Sequence, residues 1–302
     1  MKQGSQTFKV FADANFTVAE NPLWNETEQM LYWKGWLAGR IYRKALNRPP
    51  SDFETFHLPI GKIGGFVFTK DGSLLIFASH GRVWHWRPGN APVKIAEMPG
   101  ADDKTYFNDL IADPEGRVFV GVLGHDFFNK LKRPKAKWGN GSLWRFDVNT
   151  RSFHCIEPQT GYCPNGMGFS SDLKRFYFAV TDENTVYCYD YNRATGELSN
   201  RKPFLKSPCC DGMTVDAEDC LWIAEASGNA LVRYSPQGKL LTKLNLPARG
   251  ASSLTFGGVE CKTIFATASD YPKGSDSSVG AGGVFLQEQD VKGVPEFLIP
   301  NI

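Results

Sequence analysis

Six times along this chain a short apolar strand opens on a polar residue or a glycine. Glu20, Gly64, Asn108, Asn165, Asp211 and Ser252 lead those six segments. The segments read ENPLWNETEQMLYW, GGFVFTKDGSLLIF, NDLIADPEGRVFVG, NGMGFSSDLKRFYFA, DGMTVDAEDCLWIA and SSLTFGGVECKTIFA. Each reads as a strand, a turn of the DxxG kind (plain in TKDG and DPEG), and a second strand rich in aromatics. Successive leaders stand 44, 44, 57, 46 and 41 residues apart. A period in the forties with four short strands per unit is the pattern of an all-β, six-bladed β-propeller. One register repeated in every blade becomes one ring at the axis. A ring holding a Glu, two Asn and an Asp is a candidate central metal site.

The rest of each unit follows the same plan. A third strand is expected at residues 81–86 and 230–234, where Leu231, Arg233 and Ser235 alternate with Val232 and Tyr234. A fourth strand then runs up to a proline in FETFHLP, VKIAEMP, FHCIEP, KSP and KLNLP, which suits the outer edge of a blade. Six units covering residues 20 to 290 leave room for one domain, 1–302. Two segments compete to complete the sixth blade: residues 8–11 and residues 296–299. Connectivity places the ends of the second strands on the same face as the leaders. The 57-residue spacing is then an insertion, residues 124 to 140, rising on that face as a longer loop at the mouth of the site.

Bulk properties exclude several classes. A formal charge of +2 lacks the basic excess of an electrostatic nucleic-acid binder, so no nucleic-acid partner is expected. The one basic run, Lys130 to Lys137, reads as a solvated loop, the alternative being that it steers an anionic substrate or product toward the mouth. No run of apolar residues is long enough to span a bilayer, and the N-terminus lacks the apolar stretch of a signal peptide, so the expected location is cytoplasmic, away from membranes. Seven cysteines without a CxxC spacing fit reduced, mostly buried thiols rather than structural zinc. Adjacent Cys209 and Cys210 would point to opposite faces of an extended strand.

Glu20, Asn165 and Asp211 offer oxygen donors only, and no His stands at a leader position. Hard divalent cations take such ligands, so Ca²⁺ is the expected metal, with Mg²⁺, Mn²⁺ or Zn²⁺ able to substitute. Without a cation, inward-facing carboxylates would be costly to bury.

The stretches AENPLW, FNDLIADPEGRVFVG, PNGMGFSSD and CDGMTVDAEDCLWIA, with the closing SLTFGG and AGGVF, resemble the regucalcin (senescence marker protein)/gluconolactonase/luciferin-regenerating family over essentially the whole chain. That resemblance implies a six-bladed propeller with one divalent cation in its central channel, held by Glu20, Asn165 and Asp211. It implies Asn108 on the substrate side of the metal, and lactone hydrolysis as the activity. The sequence departs from the family pattern at Tyr106, where an Arg is usual two residues before the Asn of the ND motif. The acidic substrate-contacting position of animal members falls on Asp126, beside His125 in the expanded loop. An aromatic in place of a guanidinium points to a less densely hydroxylated lactone than gluconolactone, or to one held by ring stacking.

The expected function is therefore a divalent-metal-dependent lactonase, a hydrolase of carboxylic ester bonds acting on a gluconolactone-like or related small lactone. The metal would polarise the carbonyl and help activate water. Asp211 is the first choice for the general base, with His125 its rival and Asp182, Glu225 and Asp270 further rim carboxylates. Alternatives are a metal-dependent phosphoester or organophosphate hydrolase and a non-catalytic calcium-binding propeller. The expected partner is a small-molecule lactone, and the expected state a monomer or weak oligomer.

Overall fold

The computed structural model describes residues 7–13, 16–37, 39–125, 127, 140–271 and 273–302. Its architecture is that of a six-bladed all-β propeller: six four-stranded sheets, together with two short 3₁₀ turns. The chain divides into two compact units, residues 1–57 with 211–296, and residues 58–210 with 297–302. No helix among the described residues is long and apolar enough to cross a membrane.

The first unit contains the N-terminal strand β1 (Lys9–Ala12) and the sheet β2 (Ala19–Asn25), β3 (Met30–Gly35), β4 (Arg40–Ala45), β5 (Glu54–His57). The second unit contains three sheets. They are β6 (Ile63–Phe68) to β9 (Val93–Glu97), β10 (Phe107–Ala112) to β13 (Ser152–Glu157), and β14 (Pro164–Phe169) to β17 (Glu197–Lys206). The first unit resumes with β18 (Cys210–Val215) to β21 (Leu240–Asn245), the opening Cys210 being counted with the other unit. Its third sheet is β22 (Ala251–Gly257), β23 (Thr263–Ala268), β24 (Val284–Glu288), with β1 as the outer strand.

That last sheet decides between the two terminal segments. Lys9 pairs with Leu286 and Val10 with Phe285, so the N-terminal segment completes the sixth sheet. The C-terminal residues make a single bridge, Thr69 to Ile299. Burial runs from inside outward. β6 and β14 are buried at every residue, whereas β5, β9 and β21 are mostly exposed. The prolines expected at outer edges stand one or two residues past β5, β9, β13, β17 and β21, where no ladder N–H is lost.

Aromatics from the second strands fill the cores. In the second unit Phe77 meets Phe107 edge-on at 5.3 Å, and Phe119 packs on Phe176 at 5.0 Å. In the first unit Phe11, Phe16, Trp33, Tyr42 and Phe53 form one cluster, with Trp33 stacked on Tyr42 at 5.6 Å. Fully burying each such ring stabilises the fold by roughly 2–3 kcal/mol.

The six leaders share one structural position. Each is the second residue of its first strand. In five sheets the ladder to the second strand shifts register at that point: Glu20/Leu23, Ile63/Gly65, Phe107/Leu110, Pro164/Met167 and Ala251/Ser253. A bulge there bends the strand and re-aims its side chains. The glycine at position 64 has a local cause, because a Cβ would collide with the Phe107 carbonyl.

Candidate functional site

In the second unit, two asparagines are held by their amide nitrogens. Asn108 Nδ2 donates to the Pro164 carbonyl at 2.9 Å. Asn165, 5% exposed, donates through Nδ2 to Thr181 Oγ1 at 3.0 Å. The Thr181 hydroxyl in turn donates to the Cys210 carbonyl at 2.7 Å. With both Nδ2 atoms engaged, the remaining terminal atom of each side chain is its oxygen. Neither Oδ1 accepts a hydrogen bond from the described residues. Two oriented oxygen acceptors in equivalent registers of β10 and β14 are what a hard cation or a hydroxylated ligand would use.

Around them, Tyr106 is half-buried, and the Lys62 ammonium lies 4.9 Å from its ring centroid. A cation thus stands at Tyr106 although the expected guanidinium is missing. Asp182 is half-buried in a 3₁₀ turn and accepts from the Cys163 amide at 3.1 Å and the Tyr162 amide at 3.2 Å. Burial raises its pKa, and those amides pull against the rise. Burial, with Asp182, Cys163 and Cys209 nearby, pushes Tyr162 up to about 12. The root of the insertion is fixed here: Gly124 donates to the Tyr162 carbonyl at 2.8 Å, and Phe127 packs near the Tyr162 ring at 6.0 Å. Asp126 and the run Lys130 to Lys137 lie outside the described residues. His125 is exposed, with Nε2 3.4 Å from Asp102 Oδ2. The Thr105 hydroxyl first, then the Lys104 amide and His125, hold Asp102 below the usual carboxylate range.

In the first unit, Glu20 and Asp211 are half-buried at the second positions of β2 and β18. Glu20 Oε2 accepts from the Asn21 amide at 3.1 Å. Ser252 Oγ donates to the Ala19 carbonyl at 2.7 Å, tying the residue before Glu20 to β22. Gly212 follows Asp211 because a Cβ would collide with Ser253. Of the rim carboxylates, Glu225 pairs with Lys243 at 3.1 Å, and Asp270 accepts from the Gly274 and Asp276 amides at 2.6 and 2.9 Å. Both shape local structure.

All seven cysteines are free thiols, four of them buried. Cys209 departs from expectation: at φ 46° it is left-handed rather than extended, so the opposite-faces argument does not apply to it. Among the described residues no three His, Cys, Asp or Glu side chains gather into a metal-ligating group. The expected set contains two carboxylates and one amide. Its donors are all hard oxygens, and the oriented Asn165 Oδ1 fits a cation ligand. Sequence reasoning missed Thr181 and Lys62.

Six four-stranded sheets with one repeated register of strand leaders define a β-propeller. The chain belongs to the SMP-30/gluconolactonase/LRE-like family, whose model matches residues 18–270. It is 34% identical to the pentonolactonase XacC of Haloferax volcanii, covering 94% of this chain and 95% of the relative. It is 27% identical to a 6-deoxy-6-sulfogluconolactonase of Pseudomonas putida, covering 97% and 98%. Among solved structures, the regucalcin of Agrobacterium tumefaciens, a calcium-binding protein, superposes with a TM-score of 0.82 at 20% identity, covering 97% of each chain.

Proposed function

We propose that this protein is a divalent-cation-dependent lactonase acting on a small sugar-acid lactone. The observation that carries the reading is the pair of oriented amide oxygens on Asn108 and Asn165, in the register that Glu20 and Asp211 occupy in their own sheets. The two relatives named for lactone hydrolysis support the same chemistry.

In this reading Glu20, Asn165 and Asp211 hold the cation, Ca²⁺ by the hardness of the donors. When bound, the cation supplies Lewis-acid polarisation of the ester carbonyl. Asp211 accepts the proton of the attacking water and passes it to the leaving ring oxygen, giving the open hydroxy acid. His125 remains the alternative base, and Asp126 a substrate contact. Asn108 orients the substrate through Oδ1. Tyr106 offers a flat face to the lactone ring, and Lys62 a donor for its oxygens.

The test is lactone hydrolysis, followed by acid release, after chelation and then with Ca²⁺, Mg²⁺, Mn²⁺ or Zn²⁺ restored singly. Activity should vanish with the metal and return with one cation. Asp211→Ala should lose both tight cation binding and turnover. Turnover retained by that variant would defeat the base assignment, and cation binding without hydrolysis of any lactone would defeat the enzyme reading.

A further inference from the structure

The first unit carries a cavity of about 460 Å³ at the end of β3 and the start of β4, within the size range of small-ligand pockets. Glu20 and Asp211 are not among its lining residues. Its floor is aromatic and tightly packed. Phe16 and Tyr42, both buried, lie 4.6 Å apart between ring centroids, and Phe53 lies 5.7 Å from Phe16 and 5.9 Å from Tyr42. Trp36 adds a half-buried wall. Rings that pack on one another this closely are fixed before any ligand arrives, so little ordering is needed on binding.

The mouth has the opposite character. Arg40, His57 and Lys273 line it, all three exposed, and among the described residues no Asp or Glu belongs to the lining. Arg40 and His57 are direct cross-strand partners in the β4–β5 ladder. Arg40 and Tyr42 line the cavity together, and the Arg40 charge pulls against the rise that burial imposes on the Tyr42 pKa. Among the described residues none of the three basic side chains makes an ion pair. By contrast, Arg43 on the same strand pairs with Glu54 at 2.9 Å and Glu28 at 3.3 Å. Placing basic donors side by side without an acid is unfavourable unless something negative joins them.

We propose that this cavity binds a small organic anion: a flat ring seated on Phe16, Tyr42 and Phe53, with one carboxylate or phosphate head held by Arg40, His57 and Lys273. The guanidinium fork suits either oxyanion, and the aromatic floor selects for the ring. The site requires no cation and therefore stands apart from the lactonase reading.

Isothermal titration with benzoate and phenyl phosphate tests it, with benzyl alcohol as the neutral ring and inorganic phosphate as the ringless anion. Titrations are run on chelator-treated protein and again with Ca²⁺ restored. At least one ring-bearing anion should bind in both preparations with the same affinity, and each control at least about tenfold more weakly, as expected for losing a charge-assisted contact or the stacked ring. Whichever of benzoate and phenyl phosphate binds more tightly names the head group. Arg40→Ala and Lys273→Ala, both exposed positions, should each weaken binding about tenfold, and Arg40→Lys should lose less than Arg40→Ala. The proposal fails if neither ring anion binds, if the neutral ring binds equally well, or if the variants leave affinity unchanged. It also fails if binding appears only with Ca²⁺ restored, since the anion would then be at the cation.

Discussion

Thr181 accepts a hydrogen bond from Asn165 Nδ2 at 3.0 Å and donates its own to the Cys210 carbonyl at 2.7 Å. One hydroxyl thereby sets which way the Asn165 oxygen points and anchors the residue before Asp211. Polarised chains of this kind strengthen each link and fix orientation. Thr181→Val keeps the shape and removes both bonds. Cation affinity should fall about 10–100-fold, the usual cost of losing an orienting partner behind a ligand. Thr181→Ser should restore most of it. Titration of Ca²⁺ or Mn²⁺ into the three proteins reads this without any turnover, and equal affinities would show that Asn165 is positioned by other means.

The Lys62 ammonium over the Tyr106 ring concerns the substrate rather than the metal. A cation–π contact of this kind contributes about 0.5–1 kcal/mol where exposed. If the ammonium also meets lactone oxygens in ground and transition states alike, Lys62→Met should raise KM severalfold with kcat little changed. Tyr106→Leu should raise KM for the same lactones. A fall in kcat matching the fall in kcat/KM would instead place Lys62 in transition-state stabilisation.

Much of this was legible because the repeat is built on chemistry that shows in one dimension. Glu20, Asn108, Asn165 and Asp211 each precede an apolar run, and the structure puts all four at the second residue of a first strand. The bulges beside Glu20, Asn108 and Asn165 were not legible, since an extra residue in a ladder depends on the partner strand. Residues 8–11 and 296–299 are both short apolar strings, and only the long-range partner β24 separates them. Thr181 was hidden for a different reason: an isolated hydroxyl at a strand end looks the same whether it orients a ligand or faces solvent. Cys209 misled because a left-handed cysteine has no sequence signal.

Lys44 is 3% exposed, donates to the Arg48 carbonyl at 2.7 Å and sits 3.9 Å from the Phe11 ring centroid. Burial lowers its pKa from the ordinary 10.5 to about 8, against a smaller opposing pull from Asp52. Between those values the unfolded chain binds the proton more tightly than the folded one, so this group makes stability rise with pH across that window. Lys44→Met should therefore be more stable than the parent at pH 7, by at most about 3 kcal/mol, with the gap closing toward pH 10. Urea unfolding at both pH values measures it. A variant less stable at pH 7 would show that the carbonyl and ring contacts outweigh burial.

Asp270 works in the opposite sense. It is 1% exposed, and burial alone would disfavour its charge. The amides of Gly274 and Asp276 and the Ser275 hydroxyl outweigh that and hold its pKa below the ordinary 3.8. A depressed folded pKa gives stability that is fully present above the unfolded value and is lost as pH falls through the folded one. Asp270→Asn keeps one acceptor oxygen but loses the charge, and should cost roughly 2 kcal/mol at pH 7. That cost should shrink once pH drops below about 4, where the unfolded carboxyl is protonated. The same carboxylate fixes the turn that carries Lys273, so the variant should also bind ring-bearing anions more weakly at pH 7. Urea unfolding at pH 7 and pH 3.5 gives the first readout and titration with phenyl phosphate or benzoate the second. A destabilisation equal at both pH values would mean that Asp270 acts through shape and not through charge.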